Sequence, residues 1–253
     1  MAVTLVTGAS SGIGRSLARR IAAHGEPVAV LARRAALLDS LVEEIEGAGG
    51  RALALPCDVT DRAAVGDAVR EVEARLGPVD CLVANAGGGG PTFVESFRAA
   101  QIEEMLRLNV VGVASCIEAV LPGMLARRAG HLVAVGSLAG ERGLPTAAGY
   151  SAAKAALRNL MESLRIDLRG SGVAVTLIAP GMVRKKPKSK KARLFSIDVE
   201  AATERMHRAI LRRQPVLALP LAPALGVALA RALPVALADA LLVGRGRKPK
   251  AQA

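Results

Sequence analysis

Tryptophan is absent from this 253-residue chain, tyrosine occurs once and phenylalanine three times. A core of ordinary size must therefore be built from Ala, Val, Leu and Ile, and base stacking on aromatic rings, the usual grip on single-stranded nucleic acid, has almost nothing to work with. Cysteine is sparse too. Cys57, Cys81 and Cys116 are an odd number without a CxxC pair, so a disulfide framework is not expected and the three read as small apolar fillers. The three histidines, His24, His131 and His207, are scattered with no metal-ligand spacing, and no metal is expected. The strand pattern begins at Val3, which leaves no room for a leader peptide and makes a cytoplasmic location the expectation, with peripheral membrane association as an extension of it.

Acidic charge is also short. The net charge is +12, and Arg184–Arg193 carries seven Lys and Arg with no acid. Three readings stay open for that run: a solvated loop, an attractor for an anionic substrate, carrier protein or lipid surface, or a nucleic-acid contact, the last disfavoured by the missing aromatics.

What the sequence does have is alternation. Apolar runs at Val3–Val6, Pro27–Leu31, Ala52–Pro56, Val79–Ala84, His131–Val135 and Val173–Ile178 are separated by helical stretches near 13–24, 36–47, 62–76, 98–127 and 147–169. Such βαβα order predicts an α/β fold: a Rossmann-like, doubly wound parallel sheet with helices on both faces, in a single domain over 1–253. Residues 1–180 form the cofactor-binding and catalytic core. Residues 181–213 form a substrate loop that contains the basic run and a helix over 196–213. Residues 214–253 carry a last strand at Val216–Leu219 and an apolar tail. That tail, Leu221–Val243, is interrupted by Pro223, Arg231, Pro234 and Asp239. It reads as buried packing or a subunit interface, as a peripheral membrane contact helped by Arg245, Arg247, Lys248 and Lys250, or, least well, as a membrane span.

Two local patterns carry chemistry. Strand Val3–Val6 runs into Thr7-Gly8-Ala9-Ser10-Ser11-Gly12-Ile13-Gly14 and then a helix. Glycines there let backbone N–H groups and the helix N-terminus face a pyrophosphate, although such a turn can also be a tight turn and nothing more. About twenty residues on, where an acid would hold the ribose hydroxyls of NAD, stand Arg33 and Arg34. Two guanidiniums suit a 2′-phosphate, hence NADPH/NADP+, unless they are only solvated charges at a helix start. The second pattern is Tyr150 four residues before Lys154, which places both on one helix face. The ammonium is expected to lower the phenol from about 10 toward working pH, as a proton donor and acceptor for a carbonyl oxygen requires. Ser137, at a strand end, is placed to bond the same oxygen.

With these residues in order, the sequence resembles the short-chain dehydrogenase/reductase family over residues 3 to 183. The shared motifs are the TGxxxGIG turn at 7–14, Asp58-Val59, Asn85-Ala86-Gly87, Asn109 in Leu-Asn-Val, and Ser137 with Tyr150 and Lys154. The resemblance implies Tyr150 as general acid or base, Lys154 holding the nicotinamide ribose, Ser137 polarising the carbonyl, and Asn109 keeping a water that links Lys154 to solvent. It further implies that Gly8, Ser10, Ser11, Gly12, Ile13 and Gly14 cradle the dinucleotide and that Asp58 and Val59 meet the adenine. Asn85, Ala86, Gly87, Pro180, Gly181 and Val183 would line the cleft. A family threonine that would follow Val183 by two residues is replaced by Lys185. The expected function is an NADPH-dependent oxidoreductase (EC 1.1.1.-), a ketoreductase or alcohol dehydrogenase, acting on a small-molecule carbonyl or alcohol as a homodimer or homotetramer. The alternatives are a reductase of lipid-like or acyl-carrier-bound ketones at a membrane or acidic partner, and a non-catalytic NADP(H)-binding sensor or scaffold.

Overall fold

Each apolar run forms a strand because it can bury both faces. In the computed structural model, which describes residues 2–184, 196–244 and 246, β1 (Val3–Thr7) and β2 (Val28–Ala32) are buried at every position. With β3 (Ala52–Pro56), β4 (Val79–Ala84), β5 (Gly130–Val135), β6 (Val173–Pro180) and β9 (Val216–Leu219) they make a seven-stranded sheet of order β3-β2-β1-β4-β5-β6-β9. Every pairing in it is parallel. The crossovers are α1 (Gly12–Ala23), α2 (Ala35–Gly47), α3 (Arg62–Leu76), α4 (Ala99–Leu106) continuing into α5 (Gly112–Arg127), and α6 (Ala148–Asp167).

Alternate strand residues feed two cores. Leu5, Leu31, Leu82 and Leu132 face α3, α5 and α6; Val6, Val30, Val83 and Val133 face α1 and α2. A third helix, α7 (Val199–Leu211), completes the second layer with Ala202, Met206 and Ile210. Fully buried leucines of this kind each contribute about 1.5–3 kcal/mol. The expectation of a doubly wound, single-domain α/β fold holds. Val216–Leu219 is indeed the last strand of the sheet.

Three departures from the sequence reading matter for the site. The stretch 98–127 is not one regular helix, because a π-helical turn at Arg107–Val111 separates α4 from α5. The stretch 196–213 turns helical only at Val199: Ser196–Asp198 (β8) pairs in parallel with Met182–Arg184 (β7), and the Asp198 carboxylate accepts the Glu200 N–H to start α7. The tail is two helices, α8 (Leu221–Ala232) and α9 (Val235–Leu242), each far short of the roughly 20 residues a bilayer span needs. The basic run beyond Arg184, and Arg245, Arg247, Lys248 and Lys250, lie outside the described residues.

The sheet order reverses between β1 and β4. A crevice opens beyond the carboxyl ends of these strands, where doubly wound sheets bind ligands.

Candidate active site

At this crevice the β1–α1 turn is fastened to the end of β4. Thr7 Oγ1 accepts the N–H groups of Asn85 and Ala86 at 3.1 and 2.9 Å. Asn85 Nδ2 donates in return to the carbonyls of Thr7 and Gly8 at 2.9 and 3.3 Å. Gly8 has φ +68°, and a Cβ there would come within 2.8 Å of Ala86 Cα. A Cβ on Gly14 would meet the Gly8 carbonyl oxygen at 2.5 Å. Only glycines permit this close approach, and the unpaired N–H groups that open α1 face the crevice with its positive dipole end.

One end of the crevice is basic. Arg34 Nη2 donates to Ser10 Oγ at 2.8 Å and to Ser11 Oγ at 3.0 Å. Arg33 is 78% exposed and lies 3.8 Å from Asp58 Oδ2. The N–H and hydroxyl of Thr60 bond Asp58 Oδ1, and with Arg33 and Arg107 they hold its carboxyl below the ordinary range. Gly8, Ser10, Ser11, both arginines, Asp58, Val59, Ala86 and Gly87 border a hollow of about 200 Å3. Two guanidiniums and one carboxylate stand at its rim.

The other end holds the reactive groups. Gly8, Ser11, Ile13, Asn85, Ala86, Gly87, Ser137, Tyr150, Lys154, Pro180, Gly181 and Val183 line a groove of about 360 Å3 that shares Gly8, Ser11, Ala86 and Gly87 with the first hollow. The residues present thus fit a dinucleotide along their whole length. Gly12, the first residue of α1, is exposed at the turn with φ +58°, Gly14 is buried behind it, and neither lines the groove.

Tyr150 and Lys154 sit on one face of α6, and Ser137 follows β5. Ser137 Oγ accepts the Ala139 N–H at 3.1 Å and borders the same groove as the Tyr150 phenol. The Tyr150 pKa departs from the sequence expectation: burial pushes it above 10, and the neighbouring Ser137 hydroxyl offsets this in part. Lys154 does not supply the expected lowering, because its Nζ turns to the Val135 carbonyl at 2.9 Å and sits 5.8 Å from the tyrosine ring centroid. Burial brings Lys154 itself down to about 8. Asn109 is fully buried at the centre of the π turn. Its Nδ2 donates to the Met105 and Gly88 carbonyls at 2.9 and 2.7 Å, and its Oδ1 accepts the Gly88 N–H at 3.2 Å. In this structure it clamps the loop that follows Gly87 beside Lys154.

A third cavity adjoins the groove and was not legible in the sequence. It measures about 680 Å3, is walled by Leu138, Leu144, Met182, Pro223, Val227 and Leu242, and shares Gly88, Ser137, Tyr150 and Gly181 with the groove. The apolar tail therefore roofs it. Elsewhere, the scattered histidines partly converge: the His24 and His207 rings stand 5.2 Å apart with Glu26 alongside. Arg20 acts on His207 there, a cation that works against a second positive charge at this spot.

The profile of the short chain dehydrogenase family matches residues 2–194. The chain belongs to that family. An uncharacterized oxidoreductase of Myxococcus xanthus is 42% identical over 218 residues, covering 85% of this chain and 86% of the relative. Among solved structures, a short-chain dehydrogenase from Streptomyces avermitilis superposes with a TM-score of 0.80 at 31% identity, covering 90% of this chain and 91% of that one. A 7α-hydroxysteroid dehydrogenase, solved with NADH and a 7-oxo bile acid, superposes with a TM-score of 0.79 at 25% identity, over 86% of this chain and 92% of that one. This short-chain dehydrogenase is accordingly an oxidoreductase that uses a nicotinamide cofactor, NAD or NADP.

Proposed function

We propose that this short-chain dehydrogenase is an NADPH-dependent ketoreductase, working in reverse as an alcohol dehydrogenase, for substrates with a bulky apolar body. The observation that carries this reading is the position of Ser137 and Tyr150, which border both the dinucleotide groove and the apolar cavity. A carbonyl entering from the cavity meets both hydroxyls at the place where the groove ends.

When bound, the nicotinamide supplies or accepts the hydride. The chain's own residues do the rest. Ser137 has one lone pair engaged by the Ala139 N–H and keeps its proton to donate to the carbonyl oxygen. Tyr150, held protonated by burial, delivers a proton to that oxygen as its negative charge develops in reduction, and takes it back in oxidation. Lys154, fixed by Val135, offers a cation to the ribose end of the cofactor. Arg33 and Arg34 would bind a 2′-phosphate as a guanidinium pair, which favours NADPH over NADH. A binding-only sensor would need none of Asn109, Ser137, Tyr150 and Lys154 in register, so the enzyme reading takes precedence.

A panel of ketones ranging from short and soluble to steroid-like and long-chain, each with NADPH or NADH, tests this directly. Consumption of NADPH that rises with apolar bulk is the expected result. Tight dinucleotide binding with no turnover of any ketone, or of the matching alcohols with NADP+, would leave the sensor reading instead.

A further inference from the structure

We infer that α8 and α9 form a membrane-docking face, a pair of helices that roofs the substrate cavity on one side and lies on an anionic lipid surface with the other. The inference goes beyond the proposed reaction, and the docking itself does not depend on it.

Apart from Arg231 in its last turn, helix α8 is apolar. Pro223 and Val227 point into the cavity. On the opposite side Leu221, Leu225 and Leu229, four residues apart, form one stripe exposed by 65, 55 and 69%. Helix α9 also reaches both sides, with Leu242 at the cavity and Leu237 and Leu241 exposed on another face. Outward apolar residues of this kind mark an interaction site, since a helix with so little polar surface is otherwise buried.

The charges of the segment show which way it faces. Leu221–Val243 contains two, Arg231 and Asp239. Both are drawn back to the body of the protein, Arg231 toward Glu141 at 3.5 Å and Asp239 to Arg142 at 2.9 Å. Glu141 is held in turn by Arg158. The two ion pairs fasten the helices over the cavity rim and leave the outer stripe without charge.

The choice between a lipid surface and a second copy rests on charge. The chain carries +12, and immediately beyond Gly244 the sequence continues with Arg245, Arg247, Lys248 and Lys250. A second copy carries the same excess of positive charges, which repel rather than complement one another. Anionic headgroups complement them, at a favourable contribution for each cation near the surface. At 12 and 8 residues, about 18 and 12 Å long, the helices can lie within one leaflet but cannot cross it. The cavity would then take an apolar ketone directly from the lipid phase.

Flotation of the full-length protein with vesicles of phosphatidylcholine alone, or mixed with phosphatidylglycerol, tests the inference. The parent is expected to float with the mixed vesicles and to stay largely unbound with the neutral ones. L225E/L229E changes only exposed positions outside the cavity wall; it is expected to lose at least about tenfold in the bound fraction. The same variant should keep the parent's melting temperature, sedimentation behaviour and turnover of a short soluble ketone. A parent that ignores both vesicles, or a variant that floats as the parent does, overturns the docking face. So does a variant that shifts a parent dimer to monomer, which would assign the stripe to a second copy. Turnover of the soluble ketone is scored separately: its failure with intact flotation rejects the reductase reading and leaves the docking face standing.

Discussion

Lys154 Nζ donates to the carbonyl of Val135 at 2.9 Å, tying the helix face that carries Tyr150 to the strand that leads into Ser137. One hydrogen bond thus sets the spacing of the groups assigned to proton transfer. The ammonium makes it from a buried position, where loss of hydration weakens the charged form and brings the pKa from 10.5 to about 8.

This has a consequence for stability. Between about pH 8 and 10.5 the unfolded chain binds a proton on this lysine that the folded chain has released. Stability therefore gains from rising pH in that window, by an amount on the order of 3 kcal/mol across it. The buried thiols Cys57, Cys81 and Cys116, raised to about 11, 12 and 12, act in the opposite sense above their ordinary 9, because the unfolded chain loses those protons first. The difference between parent and Lys154→Met isolates the lysine. Denaturant midpoints of the cofactor-free proteins below and above the window should show the parent gaining on the variant as pH rises. Parallel pH profiles would contradict the burial argument.

Cofactor choice should follow the two arginines. Arg34→Ala removes the donor that joins Ser10 and Ser11, and Arg33→Ala removes an exposed guanidinium at the rim of the same hollow. A charged hydrogen bond to phosphate contributes about 1.5–3 kcal/mol, so each substitution should weaken NADPH by roughly tenfold to a hundredfold. NADH should lose much less. Calorimetric titration of both dinucleotides measures this, and equal losses would remove the 2′-phosphate from the account.

Asn109 also has a structural duty, which a stability measurement reads apart from turnover. Asn109→Ala leaves the Met105 carbonyl and the Gly88 backbone groups in a buried turn without their amide partner. A loss of about 2 kcal/mol in unfolding free energy is expected. Chemical denaturation checks it; an unchanged midpoint would mean that the π turn holds its shape without the clamp.

The sequence made the sheet legible because its strands are buried on both faces and read as unbroken apolar runs such as Val3–Val6. The dinucleotide groove was legible because glycine spacing answers to backbone geometry, as Gly8 against Ala86 shows. What stayed hidden depends on tertiary placement. The Tyr150–Lys154 spacing reports a shared helix face, yet neither the turn of the ammonium toward Val135 nor the desolvation of the phenol is a local property. The three-residue pairing of Met182–Arg184 with Ser196–Asp198 is too short to leave a period. Nor does a π turn, one residue wider than an α turn, disturb an apolar pattern such as 98–127. The tail was visibly apolar, but that Pro223, Val227 and Leu242 roof a cavity beside Ser137 emerges only when the chain is folded.

The central claim is that the Tyr150 phenol exchanges a proton with a substrate oxygen at the end of a dinucleotide groove. Steady-state NADPH consumption by Tyr150→Phe, with a ketone that the parent reduces and alongside an NADPH binding titration, tests it most directly. The account predicts a loss of at least about a hundredfold in turnover with NADPH affinity within about twofold of the parent. Turnover at the parent rate would contradict it.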